Sequence, residues 1–143
     1  ETWEKVDGKW RPGQKLTNDK LMTARSFLAS STGWKLAPFL AIDNKEFHEE
    51  NRGLNYALGA ALSHFLMHAD DGVYRERYVK FISAYYGGKV VESSLGAMIS
   101  VEGVSGVQET IEALEKRLKE YMSQLGEKDG EQSAAAKEED EAQ

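Results

Sequence analysis

One stretch limits the possible folds more than any other. From Leu54 to Ala69, the residues Leu54, Ala57, Leu58, Ala61, Leu62, Phe65 and Leu66 recur at steps of three and four. That period lines them along one side of an α-helix, and a stripe so wide must be buried against other elements. This helix is therefore the expected centre of the core. It does not read as a membrane span. Asn55, Ser63, His64 and His68 interrupt it, and no run in the chain approaches the ~18 consecutive apolar residues that crossing requires.

The flanking segments read as its packing partners. Asn18 suits an N-cap, followed by Leu21, Met22, Arg25 and Leu28 at helical spacing, and Ser30 to Gly33 breaks that helix. Trp34 to Ile42 carries Pro38 near the start of a short helical turn, with Leu36, Phe39 and Leu40 inward. Asp43 to Gly53 is polar apart from Phe47 and reads as a loop or frayed helix. After Ala69, Asp70-Asp71-Gly72 is a break in which Asp71 is the expected cap of the next helix. There Tyr74, Tyr78, Phe81, Ile82 and Tyr85 form a second stripe, ended by Gly87-Gly88. Ser94 to Ile99 reads as a short helix. Ser105 with Gln108 suggests a capping box for the last one, whose face is Val107, Ile111, Leu114, Leu118, Tyr121, Met122 and Leu125. Gly126 is the expected stop.

The ends differ in character from this body. Asp7-Gly8 is a favoured two-residue turn, so Trp3 to Val6 and Lys9 to Arg11 read as a β-hairpin with Lys5 facing Trp10. Residues 126–143 hold seven acids against Lys128 and Lys137, which places −5 of the net charge of −6 in the tail. The body carries only −1 and has no basic stripe for nucleic acid. With no cysteine in 143 residues, disulfides and thiolate metal sites are excluded.

Few residues suggest chemistry. His64 and His68 stand four apart, as in the HExxH zinc helix, where both imidazoles face one metal and a glutamate activates water. Phe65 follows His64, so that base is missing, and no third ligand stands out. The pair reads as structural, with His64 hydrogen-bonded in the core and His68 at a helix end, and no metal ligand is assigned. His48 lies in the polar segment with no visible partner. The adjacent acids Glu49-Glu50 and Asp70-Asp71 do not face each other on a helix and read as caps and solvated loop. Tyr56 lies off the Leu58–Leu62–Leu66 stripe, and spacing alone makes it a ring covering a helix N-terminus.

Three segments together carry a resemblance: Asp7-Gly8-Lys9-Trp10, Leu36 to Phe47 (LAPFLAIDNKEF) and Tyr56 to Tyr78 (YALGAALSHFLMHADDGVYRERY). They resemble the C-terminal half of the bacterial domain-of-unknown-function family numbered 1570, over roughly residues 5–122. Members of that family look like gluzincin metallopeptidases, with an HExxH helix, a downstream glutamate ligand and a helical C-terminal part. The resemblance implies that this chain is the helical part of a zinc metallopeptidase-like protein, forming a wall of its peptide cleft. Zn2+ then belongs to the parent protein, with no cofactor in this chain. The implied partners are the N-terminal catalytic half of the same polypeptide and a peptide or protein substrate. Neither HExxH nor the family's glutamate motif can be placed in residues 1–143, so the chain alone is expected to be inactive. Tyr56-Ala57-Leu58-Gly59 is also similar to the Tyr-x-x-Gly pattern of related aminopeptidases, whose phenol hydrogen-bonds the oxyanion. That likeness implies Tyr56 as an oxyanion donor in the parent, although Leu58 stands where a lysine is common.

The expected architecture is mainly α: a helical C-terminal module of a gluzincin-like protein. It comprises a β-hairpin over 1–13, a helical domain over 14–125 and a disordered acidic tail over 126–143. The competing function is a non-catalytic scaffold or interaction module with Trp3, Trp10 and Trp34 on a partner-facing surface. Localisation stays open, export and the cell envelope included. The tail offers no apolar face, so deleting residues 127–143 is expected to change the unfolding free energy by less than ~1 kcal/mol. Denaturant titration showing a larger loss would mean that the tail docks.

Overall fold

The computed structural model describes the backbone of residues 3–6, 8–12, 19–89 and 95–141, and the side chains of residues 8, 19–89, 95–97 and 99–125. The protein is mainly helical. Its centre is α4 (Arg52–His68), which buries Ala57, Leu58, Ala61, Leu62, Phe65 and Leu66 on one side. Against it lie α1 (Asp19–Ser30), through Leu21, Ala24 and Leu28, and the long α7 (Val107–Glu141), through Ile111, Leu114, Leu118 and Met122. The short α2 (Leu36–Ala41) inserts Leu36 fully into the same core. α3 (Asn44–Glu49) leans on α4, as does α5 (Arg75–Tyr86), and α6 (Leu95–Met98) bridges α5 and α7. At the N-terminal end, β1 (Trp3–Val6) runs antiparallel to β2 (Lys9–Pro12), with Lys5 opposite Trp10. Where the indoles of Trp3 and Trp10 lie, and whether Asn18 caps α1, fall outside the described residues.

A buried carboxylate joins the short elements to the long one. Glu115 of α7 is only 8% exposed, and its Oε2 accepts the Leu36 backbone N–H at 2.8 Å, satisfying a first-turn amide of α2. Its Oε1 takes Lys119 Nζ at 3.0 Å and Lys35 Nζ at 3.4 Å. Lys119 also donates to the Trp34 carbonyl and stands over the Trp34 indole. Burial alone would raise the Glu115 pKa. The Leu36 amide and the two ammonium groups outweigh it and hold the carboxyl below the usual glutamate range.

The structure departs from the sequence reading at several boundaries. The polar segment after Ile42 holds a true helix, α3, because the Asp43 carboxylate accepts the Glu46 amide at 2.8 Å and caps it. Asp71 does not cap α5. Asp70, Asp71 and Gly72 are all left-handed, at φ 48°, 57° and 82°, and turn the chain from α4 into α5 without a side-chain cap. Arg75 fills the space beside Gly72 and donates to the Met67 carbonyl at 2.8 Å, so a Cβ at position 72 would collide with its guanidinium. Tyr85 is exposed instead of facing the core. α7 starts at Val107, where Gln108 pairs with Glu112 and not with Ser105. Its helical backbone runs through Gly126 to Glu141, among the strong helix formers Ala, Glu, Lys and Gln, whose propensity offsets the ~1 kcal/mol cost of a glycine.

Two outcomes follow. Phe65 is 1% exposed, so Phe65→Ala is expected to cost about 3–5 kcal/mol in chemical denaturation. The folded-state pKa of Glu115 is depressed, so its contribution is present above the unfolded-state value and is lost as pH falls through the folded-state value. The stability gap between wild type and Glu115→Gln should therefore narrow on acidification below pH ~4.5. A gap that stays constant from pH 6 to 3 would count against this network.

Candidate functional site

Tyr56 occupies the second turn of α4, on the side away from the buried stripe. Its position is set by the α3–α4 junction. Asn51 adopts a left-handed conformation (φ 50°) that turns the chain into α4. Asn55 is buried, and its side-chain amide donates to the carbonyls of Phe47 at 3.1 Å and Glu50 at 2.7 Å. Both donations tie the end of α3 to α4, so Phe47 and His48 meet the neighbouring Tyr56.

The Tyr56 ring is framed on several sides. Phe47 meets it edge-on at 5.2 Å between centroids, and His48 lies at 5.9 Å. Lys20 Nζ of α1 stands 5.5 Å from the ring centre and the Arg52 guanidinium 5.8 Å, both within cation–π range. The phenol oxygen is 3.5 Å from His48 Nδ1, the outer limit of a hydrogen bond. The residue nevertheless stays 38% exposed. One turn further along the same side, a side chain at Gly59 would meet nothing within 4 Å, so the surface beyond Tyr56 is open. On the stripe side of the same turns, away from Tyr56, an open groove of about 400 Å³ is lined by Phe27, Trp34, Phe39 and Leu58 together with the polar Lys35, Glu46, Asn51 and Asn55.

The histidines predicted on α4 are placed differently. His64 and His68 are half-buried with ring centres 4.6 Å apart, and His64 Nδ1 shares a 2.9 Å hydrogen bond with the Tyr121 hydroxyl. Burial pushes the Tyr121 phenol up to about 12, so it stays neutral in this contact. Zinc takes three protein ligands in a catalytic site and four in a structural one. Among the described residues, no group of three or more His, Asp or Glu side chains stands together. The two imidazoles do not fit a zinc site by themselves.

Sequence spacing brought out Tyr56 but missed His48, Lys20 and Arg52. The signal for His48 was the Asp43-x-x-Glu46 cap, which makes the polar segment helical and turns His48 toward α4. Trp34 is half-buried against Phe39 and Lys119, so its indole serves the α2–α7 junction.

The chain matches no protein-family model, no curated protein and no solved structure.

With two helical imidazoles and, among the described residues, no group of three metal-ligating side chains, zinc is expected to bind no tighter than micromolar. Calorimetry showing nanomolar, stoichiometric zinc that is lost in His64→Ala would overturn this.

Proposed function

We propose that this chain is the substrate-facing helical module of a zinc metallopeptidase-like protein, where it forms one wall of a peptide cleft. The observation that carries this reading is the Tyr56 phenol, framed by Phe47, His48, Lys20 and Arg52 yet exposed beside the open side of Gly59. A ring held on several sides loses little freedom when a substrate arrives, and its hydroxyl stays within reach of one.

The chain's own contribution is a hydrogen-bond donor. As a peptide carbonyl becomes tetrahedral, negative charge gathers on its oxygen. A neutral phenol set in advance at that point stabilises the charge without reorganising. The metal and the water-activating base belong to the catalytic half in this reading.

A second reading is an interaction module without chemistry. It is favoured by α5, which exposes Val79, Tyr85 and Tyr86, the last at 82%.

Substitution separates the two. In the protein that joins this module to an HExxH half, Tyr56→Phe is expected to lower kcat by about 10²–10³, with KM and zinc content nearly unchanged. Full turnover in Tyr56→Phe would make the ring structural and favour the interaction module.

A further inference from the structure

We propose that His48 is the positioning residue of Tyr56, and that the state of its Nδ1 decides whether the phenol proton points back to α3 or outward. This rests on the role given to Tyr56 above.

The geometry supplies the argument. The Tyr56 oxygen and His48 Nδ1 are 3.5 Å apart, and both rings pack on Phe47, so neither swings away without losing an aromatic contact. A phenol has one proton. When Nδ1 is bare it accepts that proton's hydrogen bond, and the hydroxyl has none left for a ligand. When Nδ1 carries hydrogen it donates to the phenol oxygen, and the phenol's own O–H turns outward. Neutral imidazole admits both arrangements through its two tautomers, whereas imidazolium permits only the second. Protonating His48 therefore converts Tyr56 from a shared donor into one committed to the open side.

Among the described residues, Lys20 on α1 and Arg52 on α4 stand over the Tyr56 ring, and Lys45 pairs with Glu49 at 3.9 Å on α3 itself. Lysine, arginine and glutamate side chains ordinarily keep their charge between pH 5 and 8, and imidazole is the group type that changes there.

The test needs no substrate. With tyrosine labelled with ¹³C at Cζ, the NMR resonance missing in Tyr56→Phe is followed from pH 5 to 8 in this chain. In wild type it should shift with pH. In His48→Asn it should be flat and lie near the wild-type acid value, because the Asn amide N–H stands at the place of Nδ1–H and replaces the imidazolium donor. In His48→Leu it should be flat and lie elsewhere. A flat wild-type profile, or coincident His48→Asn and His48→Leu resonances, overturns the proposal. The peptidase reading fails separately: a pH-dependent Tyr56 resonance together with full turnover in Tyr56→Phe leaves the coupling standing and removes the catalytic role.

Discussion

The Glu115 carboxylate is the interaction on which the smaller elements depend. α2 and α3 have six residues each, far too few to be helical alone. α2 persists because Glu115 satisfies its first amide from inside the core while Leu36 fills the space between α4 and α7. Lys35 and Lys119 keep that carboxylate charged, and Lys119 also fixes the Trp34 carbonyl just before the helix. Once α2 is anchored, only Ile42 and Asp43 separate it from α3, which therefore starts close to α4. The Glu115 anchor on α2 thus acts together with the Asn55 hydrogen bonds, which tie the end of α3 to α4 and bring Phe47 and His48 to Tyr56.

Periodic apolar spacing made the large elements legible. Leu58, Leu62, Phe65 and Leu66 define α4, and Leu114, Leu118 and Met122 define α7, because burying a stripe along one helix side is a demand the residues themselves express. The buried role of Glu115 was less visible. In the sequence it reads as an exposed partner of Lys119 at i,i+4 spacing, and nothing local reveals that an amide 79 residues away needs an acceptor. α3 was legible only as one of two alternatives, loop or frayed helix, for a related reason: it has one large apolar residue, Phe47, and it is held by the Asp43 cap and by Asn55 behind it. The site was legible to the same extent. Tyr56 stood out by being off the stripe, whereas His48, Lys20 and Arg52 come from three helices whose convergence is a tertiary fact.

The corner between α4 and α5 follows a different logic. Three successive left-handed residues, two of them aspartates, cost backbone energy and bury little. Compensation comes from the flanks, where Arg75 takes the Met67 carbonyl. Arg117 reaches from α7 to the Tyr74 hydroxyl at 2.6 Å, with Asp70 at 3.7 Å. Tyr74 is buried and fixes the start of α5, while Ser63 and Tyr78 share a 2.7 Å bond one turn later. Beyond that, α5 loosens its hold and its aromatic residues turn to solvent.

Asn55 has a wider consequence. Its amide holds the carbonyls of both Phe47 and Glu50, so the end of α3 is tied directly to the first turns of α4. Any molecule approaching Tyr56 therefore meets a phenol whose bearing was fixed when the chain folded. The entropy of aligning that ring is lost at folding, once, and not again at each encounter.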